Sequence, residues 1–300
     1  NATHRVTADI LVLAAGTLGT NELMMRAKAR GLPVSDQLGE RFSANGDDLV
    51  FATDLDEPVN GIATGFPPQA PRGAPAVGPH SMALINLGDE KGPIWVHDGT
   101  MLSVMASLAP LKEMIALKVP RATRIMRQGI YGDTMSRTQV YYIVTPDDAS
   151  GRLQLEKDRI VVDWQGYSDA PLRKAAESKV KSMVEAMGGK FQSNPFAMSA
   201  FGGNRIIAHP LGGCSFGTSA HDGVIAHDGR VFDPSSGRGA VHDGLYVCDG
   251  AAASSAIGVS PLLTITALAE RAMVLAARRM GRSLDVDKIP NNRPVRDAAM

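Results

Sequence analysis

The stretch "AHPLGGCSFG" at residues 208–217 places a histidine, two glycines and a cysteine within six positions. Imidazole is the side chain that titrates nearest to neutral pH, so His209 is suited to accept a proton in catalysis or to bind a metal ion. It is equally suited to hydrogen-bond the loop around it. The residues of this stretch leave all three roles open, and the surrounding elements must decide between them.

A metal site is the first alternative to a catalytic role. His209, Cys214, His221 and His227 are of the types that zinc prefers, but their spacings of 5, 7 and 6 residues match no close-paired zinc pattern. The triplet "HDG" begins at His221, His227 and His242 and is typical of tight turns. We therefore expect no metal site.

Nucleophilic catalysis has less support. No feature near Cys214 indicates a stabilised thiolate, and a small apolar core residue is the usual role of such a cysteine. The G-x-S-x-G motif of serine hydrolases does not occur in the sequence. These residues alone leave a catalytic role and a loop role for His209 open.

The composition is that of an ordinary globular protein. Of the 300 residues, 44% are hydrophobic and 21% are charged, and the formal net charge is zero, which gives no electrostatic reason to expect a nucleic-acid partner. Two cysteines provide no disulfide framework and favour a reducing, cytoplasmic compartment. No apolar run approaches the roughly 20 residues that a transmembrane helix needs.

The elements near the start of the chain predict a strand, a glycine turn and a helix. Residues 10–15 are apolar without alternation, as in a buried parallel strand, and we expect the chain to begin partway through a fold. Gly16, Thr17 and Gly19 predict a turn, and Thr20 predicts the cap of a helix that ends near Arg30. Such a turn can bind phosphate or the polar edge of a ring, or it can be only a tight connection.

The middle of the chain predicts an α+β layer. Residues 103–128 show helical spacing interrupted by Pro110 and Pro120, which predicts a broken helix. Its basic residues, among them Lys112 and Arg121, favour a solvated helix face over a membrane-binding surface. Residues 137–164 alternate as strands with a hairpin turn at residues 157–158, and a helix begins at Pro171.

The last third of the chain again predicts a short strand followed by a turn and a helix. "GLYVCDG" predicts a short strand that ends at Asp249 and Gly250. In the following "SPLLTITALAERAMVLAARRM", Ser260 predicts a helix N-cap and Pro261 the first helical position.

These blocks together carry a family resemblance. "ADILVLAAGTLGTNELMMRA", "AHPLGGCSFG" and "LYVCDGAAASSAIGVSPLLTITALAERA" resemble the C-terminal portion of the glucose–methanol–choline (GMC) oxidoreductases, flavoproteins that oxidise alcohols with FAD. The likeness is greatest to the cholesterol oxidase branch and extends from about residue 8 to 280. It implies an α/β fold with an incomplete, discontinuous Rossmann-like FAD-binding domain at 1–44 and 200–285. An α+β substrate domain on an antiparallel sheet is inserted at 45–199, and residues 286–300 form a tail.

The resemblance implies roles for particular residues. His209 would face the flavin and accept the proton of the substrate hydroxyl, because hydride leaves a carbinol carbon easily only as that proton departs. Ser260 would be the second catalytic position, and the positive end of the helix that follows would stabilise charge on the flavin. The implied cofactor contacts are Gly16 and Thr17 near the ring and ribityl chain, Asp249 and Gly250 at the strand end, and Pro261 and Leu262 at the helix start.

The resemblance also implies the partners. The substrate would be a small-molecule alcohol, for which a sterol or another bulky hydrophobic alcohol is a candidate. The electron acceptor would be O2 or a redox carrier. The sequence departs from the family at Ser260, where His or Asn is usual, and in "GPIWVHDGTML", where His97 and Asp98 stand without the glutamate used in steroid isomerisation. A second hypothesis is a non-catalytic remnant or binding module, for which Ser260 is the main support.

A dinucleotide-binding fingerprint is also missing from these residues. No G-x-G-x-x-G occurs, and in the nearest match, which starts at Gly237, His242 stands where the third glycine belongs. We expect the pyrophosphate-binding unit to lie upstream of residue 1, and residues 1–300 alone to be inactive.

Overall fold

The computed structural model describes residues 5–63, 83–164, 171–194 and 207–284, so the tail proposed at 286–300 lies outside it. The strands are β1 (Leu11–Leu13), β2 (Asp48–Thr53), β3 (Leu84–Asn86), β4 (Trp95–Gly99), β5 (Gln139–Val144), β6 (Arg152–Glu156), β7 (Arg159–Asp163), β8 (Lys190–Gln192), β9 (Arg230–Phe232) and β10 (Val241–Val247). The helices are α1 (Gly16–Ala29), α2 (Ser103–Ser107), α3 (Ala109–Ile115), α4 (Val119–Gln128), α5 (Asp133–Ser136), α6 (Pro171–Ala186) and α7 (Leu262–Arg279), with a 3-10 turn at Gly250–Ala252.

A three-stranded sheet joins the two ends of the described chain. Its order is β1-β10-β9, with β1 parallel to β10 and β9 antiparallel to it. Helix α1 and the 3-10 turn pack beside this sheet over a core that includes Met24, Val231 and Val247. This pairing brings the N-terminal strand beside the last strand before α7.

Two local predictions for the first segment are wrong. Leu11 is 55% exposed and Val12 37%, because within the described ranges β1 pairs with β10 alone. Helix α1 already begins at Gly16, so the residues predicted as a turn form its first turn. Thr20 consequently lies inside the helix, where its hydroxyl donates to Asp249 instead of capping.

A five-stranded antiparallel sheet forms the middle of the molecule, in the order β3-β4-β5-β2-β8. Alternate residues of β2 face opposite sides: Val50 and Ala52 pack against α6, which we term the α6 face. Leu49 and Phe51 pack against the short helices α2 to α5, which we term the α2–α5 face. The predicted fold class, with an antiparallel sheet in an α/β protein, is confirmed.

Several element predictions are confirmed and one is wrong in part. The proline-interrupted region forms three short helices, α2 to α4, and β6 and β7 form the predicted hairpin. This hairpin packs against α1, and the Leu153 N–H donates to the Gly39 carbonyl at 2.8 Å. Lys112 is half-buried and Arg121 is buried, so these two do not belong to a solvated face. The domain limits at 45 and 199 stay predictions.

A search of the described residues finds no helix with the length and apolarity needed to cross a membrane.

Candidate functional site

His209 is paired with a buried carboxylate. Its Nδ1 lies 2.8 Å from Asp47 Oδ1, and Asp47 Oδ2 accepts the backbone N–H groups of Ala208 at 2.7 Å and His209 at 2.6 Å. The Asp47 side chain is 6% exposed and that of His209 26%. A carboxylate acceptor places the proton on Nδ1, so the lone pair of His209 is on Nε2. The imidazole is thus held in one tautomer and one orientation while remaining accessible.

Asp47 belongs to a short stretch, residues 43–47, that we term the connector segment. Within it, Asn45 Oδ1 accepts the N–H groups of Ile257 and Gly258, both at 2.8 Å, and Asn45 Nδ2 donates to the Val259 carbonyl at 2.8 Å. The connector segment therefore fixes both the loop that carries His209 and the loop that leads to residue 260.

A second aspartate holds the connector segment itself. Asp147 accepts the Ser43 hydroxyl at 2.8 Å and the N–H groups of Ala44 and Gly46 at 3.0 and 2.9 Å. Ser43 also exchanges two backbone hydrogen bonds with Leu211, at 2.9 and 3.0 Å. These bonds satisfy the polar groups of a stretch that is almost fully buried.

The glycines after His209 serve internal packing. Gly212 and Gly213 have φ of +85° and +92°, a region that glycine adopts without strain. A Cβ on Gly212 would overlap the Arg41 carbonyl, and one on Gly213 would overlap the Asn21 amide. Close packing within the protein therefore explains both glycines.

The start of α1 lies directly beside the His209 loop. The Thr17 hydroxyl donates to the carbonyl of Pro210, the residue after His209, at 2.6 Å. Gly16 has φ of +75°, and no atom lies within 4 Å of the position that a Cβ would take there. Gly16 thus faces open space at the N-terminus of a 14-residue helix.

The strand-end pair, Asp249 and Gly250, is buried behind this surface. Asp249 accepts the Thr20 hydroxyl at 2.5 Å and the Ala251 N–H at 2.9 Å. The Gly250 carbonyl accepts the N–H of Gly212 at 2.9 Å. Both residues shape the site by holding its surrounding segments, and their direct contact with FAD stays a prediction.

The helix cap predicted at Ser260 is wrong. Helix α7 begins at Leu262, Pro261 occupies the cap position with helical φ and ψ, and no side chain caps the start. Proline has φ fixed near the helical value, so its own carbonyl accepts the first helical bond, from Ile265 at 2.9 Å. Ser260 is exposed, and Leu262 is 70% exposed.

His97 lies on the α2–α5 face of the sheet. It pairs across strands with Tyr142, which pairs in turn with Leu49, so the three side chains share that face. Burial lowers the pKa of His97, and the nearby His209 lowers it further, whereas Asp98 and Asp47 oppose this. The structure therefore brings His97 into the electrostatic surroundings of His209.

The cysteines and the other histidines stand apart from this site. Burial raises the pKa of the Cys214 thiol far above its usual range, and that of Cys248 to about 11. Neither thiol is a ready nucleophile at neutral pH. The described ranges contain no group of three or more His, Cys, Asp or Glu residues arranged to hold a metal ion.

Sequence reasoning missed Asp47, Asn45 and Asp147. "SANGDD" and "TPDD" have the composition of turns, and Asn45 indeed has a positive φ of 55°. The contacts that give these residues a role join positions 162, 214 and 101 apart. No local spacing could have shown them.

Comparisons with known proteins find related sequences. Residues 147–269 match the family model described as GMC oxidoreductase. The cholesterol oxidase of Acinetobacter baumannii is 27% identical over 288 residues, which cover 88% of this chain and 46% of that protein. The cholesterol oxidase of Mycobacterium tuberculosis is 28% identical over 295 residues, which cover 90% of this chain and 46% of that protein.

A solved structure shares the fold. Pyridoxine 4-oxidase from Mesorbium loti superimposes with a TM-score of 0.51 at 16% identity, over 89% of this chain and 51% of that one. The resemblance predicted from the sequence is confirmed, since residues 147–269 match the GMC oxidoreductase model and the relatives found include cholesterol oxidases. The predicted cofactor, FAD, is confirmed as the cofactor of this family. The chain spans about half the length of the curated relatives it matches.

The described residues fit such a cofactor. The first N–H groups of a helix lack partners within the helix, and neither α1 nor α7 receives a side-chain cap from the described residues. Open space at Gly16 and the exposed side chains of Leu262 and Leu263 provide room and apolar surface beside these donors. Polar donors flanked by apolar surface suit a flat heteroaromatic ring.

Proposed function

We propose that this chain provides the catalytic half-site for FAD-dependent oxidation of an alcohol to its carbonyl, with His209 as the general base. The observation that carries the proposal is the hydrogen bond between His209 Nδ1 and Asp47 Oδ1, at 2.8 Å. It leaves Nε2 as a proton acceptor on a half-buried, fixed imidazole.

In this proposal each residue has a defined task. The substrate hydroxyl donates to His209 Nε2, and the proton moves to that nitrogen as the carbinol C–H bond breaks. Asp47 stabilises the imidazolium and prevents it from rotating. FAD, when bound, supplies the acceptor for the hydride. Gly16 and Thr17 at the start of α1, and Pro261 and Leu262 at the start of α7, would hold it.

Two further residues would act on the substrate. Ser260 follows the loop that Asn45 fixes, and its exposed hydroxyl would contact the substrate oxygen. His97 has a lowered pKa, so it would be neutral near pH 7 and would contribute a hydrogen bond rather than a positive charge. A sterol or another bulky apolar alcohol suits the α2–α5 face, because the side chains that form it are mainly apolar.

The experiment is stopped-flow flavin reduction by a panel of sterols and primary alcohols. It uses the FAD-loaded protein with the pyrophosphate-binding unit that we expect upstream of residue 1. His209→Ala should keep FAD bound and slow reduction by about 10²–10⁴-fold, the usual contribution of a general base. His221→Ala is the matched control, because His221 lies in an exposed turn. In this variant the flavin should be reduced at the wild-type rate. Unchanged reduction in His209→Ala would contradict the proposal.

A further inference from the structure

A cavity of about 120 Å³ lies between the five-stranded sheet and helices α2 to α4. It is comparable in size to cavities of roughly 150 Å³ that accept a benzene ring. Its walls are mainly apolar, and the side chains that form them include Phe51, Met101, Met105, Leu108, Ile125 and Met135. A ring or a short branched chain would fill it.

One polar group in the cavity wall is a donor. Lys112 Nζ donates to Gln192 Oε1 at 2.7 Å and lies 5.2 Å from the centre of the Phe51 ring. An ammonium group has three N–H donors, and Gln192 uses one. Burial lowers the pKa of Lys112 to about 8, so the group is still largely charged at neutral pH.

The neighbouring residue is an acceptor. Glu113 also lines the cavity and is 3% exposed. Its Oε1 lies 3.7 Å from Arg121 Nε, whereas its Oε2 is buried and has no hydrogen-bond partner among the described residues. Buried polar atoms are normally satisfied, so Oε2 marks a place where a ligand hydrogen could bind.

The charges around the cavity favour a neutral ligand. Lys112, Arg121 and Glu113 line the cavity, and outside its wall Asp54 contacts both Arg121 and Lys190. An anionic ligand would be repelled by Glu113, and a cationic one by Lys112. A hydroxyl group both donates and accepts, which matches a pair made of one donor and one acceptor.

The cavity lies on the α2–α5 face, and His97 on the same face is within electrostatic reach of His209 and Asp47. Asp47 immediately precedes β2, and Phe51 follows it by four residues, a distance of about 13 Å at roughly 3.3 Å per residue. Leu49, Tyr142 and His97 form a cross-strand row between these two positions. A molecule that reaches from His209 to the cavity must therefore be elongated and span about 13 Å.

We propose that this cavity binds the far end of the alcohol that His209 oxidises, and that this far end is an apolar ring or chain with its own hydroxyl group. That hydroxyl accepts a hydrogen bond from Lys112 and donates one to Glu113 Oε2. The inference rests on the proposed function and defines its substrate class as elongated apolar alcohols with a second hydroxyl.

The first test measures binding alone, with phenol, toluene and benzoate as probes. Methyl NMR of the methionines reports on the cavity through Met101, Met105 and Met135. Phenol should bind at least about tenfold more tightly than toluene, the worth of one or two hydrogen bonds, and more tightly than benzoate. Equal binding of toluene and phenol, or preferred binding of benzoate, would overturn the hydroxyl assignment.

Variants of the cavity provide the controls. Lys112→Met should abolish the preference for phenol over toluene, whereas Lys118→Met, at an exposed lysine outside the cavity wall, should keep it. Met105→Trp is a second test in case Lys112→Met folds poorly. The tryptophan fills the cavity from α2 and should block binding of both probes. Retention of the phenol preference in Lys112→Met, or probe binding unaffected by Met105→Trp, would overturn the proposal.

The second test separates this inference from the proposed function. In the FAD-loaded protein, kcat/KM for dodecanediol should exceed that for dodecanol by at least about tenfold, and Lys112→Met should remove the difference. Flavin reduction by both alcohols without that difference would overturn the far-end assignment and leave the oxidation intact. Phenol binding without reduction by any alcohol would instead refute the oxidation and the link between the two places.

Discussion

Asp47 and Asp48 are consecutive in the chain but pair with partners of different accessibility. Asp48, the first residue of β2, pairs with Arg173 of α6 at 2.9 Å, and both side chains are less than 10% exposed. Asp47, just before β2, pairs with His209, whose side chain remains 26% exposed. A buried carboxylate therefore does not by itself mark a site, because the accessibility of its partner decides whether chemistry is possible.

Disruption of the buried Asp48–Arg173 pair should give the largest effect on stability. Arg173→Met leaves the Asp48 carboxylate buried without its guanidinium and should lower the free energy of unfolding by about 3–5 kcal/mol. Urea unfolding measures this. The double variant Arg173→Met, Asp48→Leu should recover much of the loss, since it removes the buried charge as well. A loss below about 1 kcal/mol in the single variant would show that the pair does not fix α6 to the sheet.

Disruption of the accessible Asp47–His209 pair should affect catalysis more than stability. In Asp47→Asn the amide NH2 group is a donor that faces either the N–H groups of Ala208 and His209 or the Nδ1–H of the imidazole. This contact between donors should lower the free energy of unfolding by about 1–3 kcal/mol. Flavin reduction should fall by about 10²-fold, as when a reacting group is misplaced by about 1 Å. Nitrogen-15 NMR of His209 should show loss of the fixed Nδ1–H tautomer, a signal that a purely structural role would leave unchanged.

The neighbouring residue provides the control for this prediction. Asp48→Asn should lower the free energy of unfolding while the folded protein keeps the wild-type reduction rate and the wild-type imidazole spectrum. Reduction at the wild-type rate in Asp47→Asn would show that His209 needs no carboxylate partner.

The cavity on the α2–α5 face predicts a dependence of stability on pH. Burial lowers the folded-state pKa of Lys112 from 10.5 to about 8, so the unfolded chain binds more protons between these two values. The free energy of unfolding attributable to Lys112 should therefore rise with pH across this window. Lys112→Met should be more stable than wild type near pH 7, by about 1–3 kcal/mol, and should lose that advantage at alkaline pH. Urea unfolding of both proteins at several pH values measures it, and parallel pH profiles would contradict it.

The smallest effect is expected at Ser260. Since Pro261 starts α7, Ser260→Ala and Ser260→Asn should each change the free energy of unfolding by no more than about 0.5 kcal/mol. If position 260 contacts the substrate oxygen, Asn should speed flavin reduction, because it reaches further and both donates and accepts, and Ala should slow it. Thermal melts and stopped-flow reduction of the three proteins decide this, and equal rates would leave residue 260 without a catalytic role.

The sequence predicted those parts of the molecule that depend on local pattern. Helix α6 follows from apolar spacing, the β6–β7 hairpin from alternation, and the breaks at Pro110 and Pro120 from the missing N–H of proline. The start of α7 lies one residue later than predicted, because the fixed φ of Pro261 made it the cap. The burial of Lys112 and Arg121 was missed because the cavity that surrounds them forms only when three helices meet the sheet.

In the candidate site, the sequence singled out His209 but not its buried partners or its geometry. His209 stood out through its motif, whereas its orientation depends on Asp47, 162 positions away, and on hydrogen bonds that span up to 214 residues. Long-range pairs of this kind have no signature in a single sequence.

The connector segment has a consequence for folding and for transfer of the motif to another protein. Contacts between residues so far apart form late, since the chain must close long loops before they contribute. We therefore expect His209 to acquire its orientation only after the three-stranded and five-stranded sheets have assembled. A scaffold that received "AHPLGGC" alone would carry the histidine without the carboxylate that selects its tautomer.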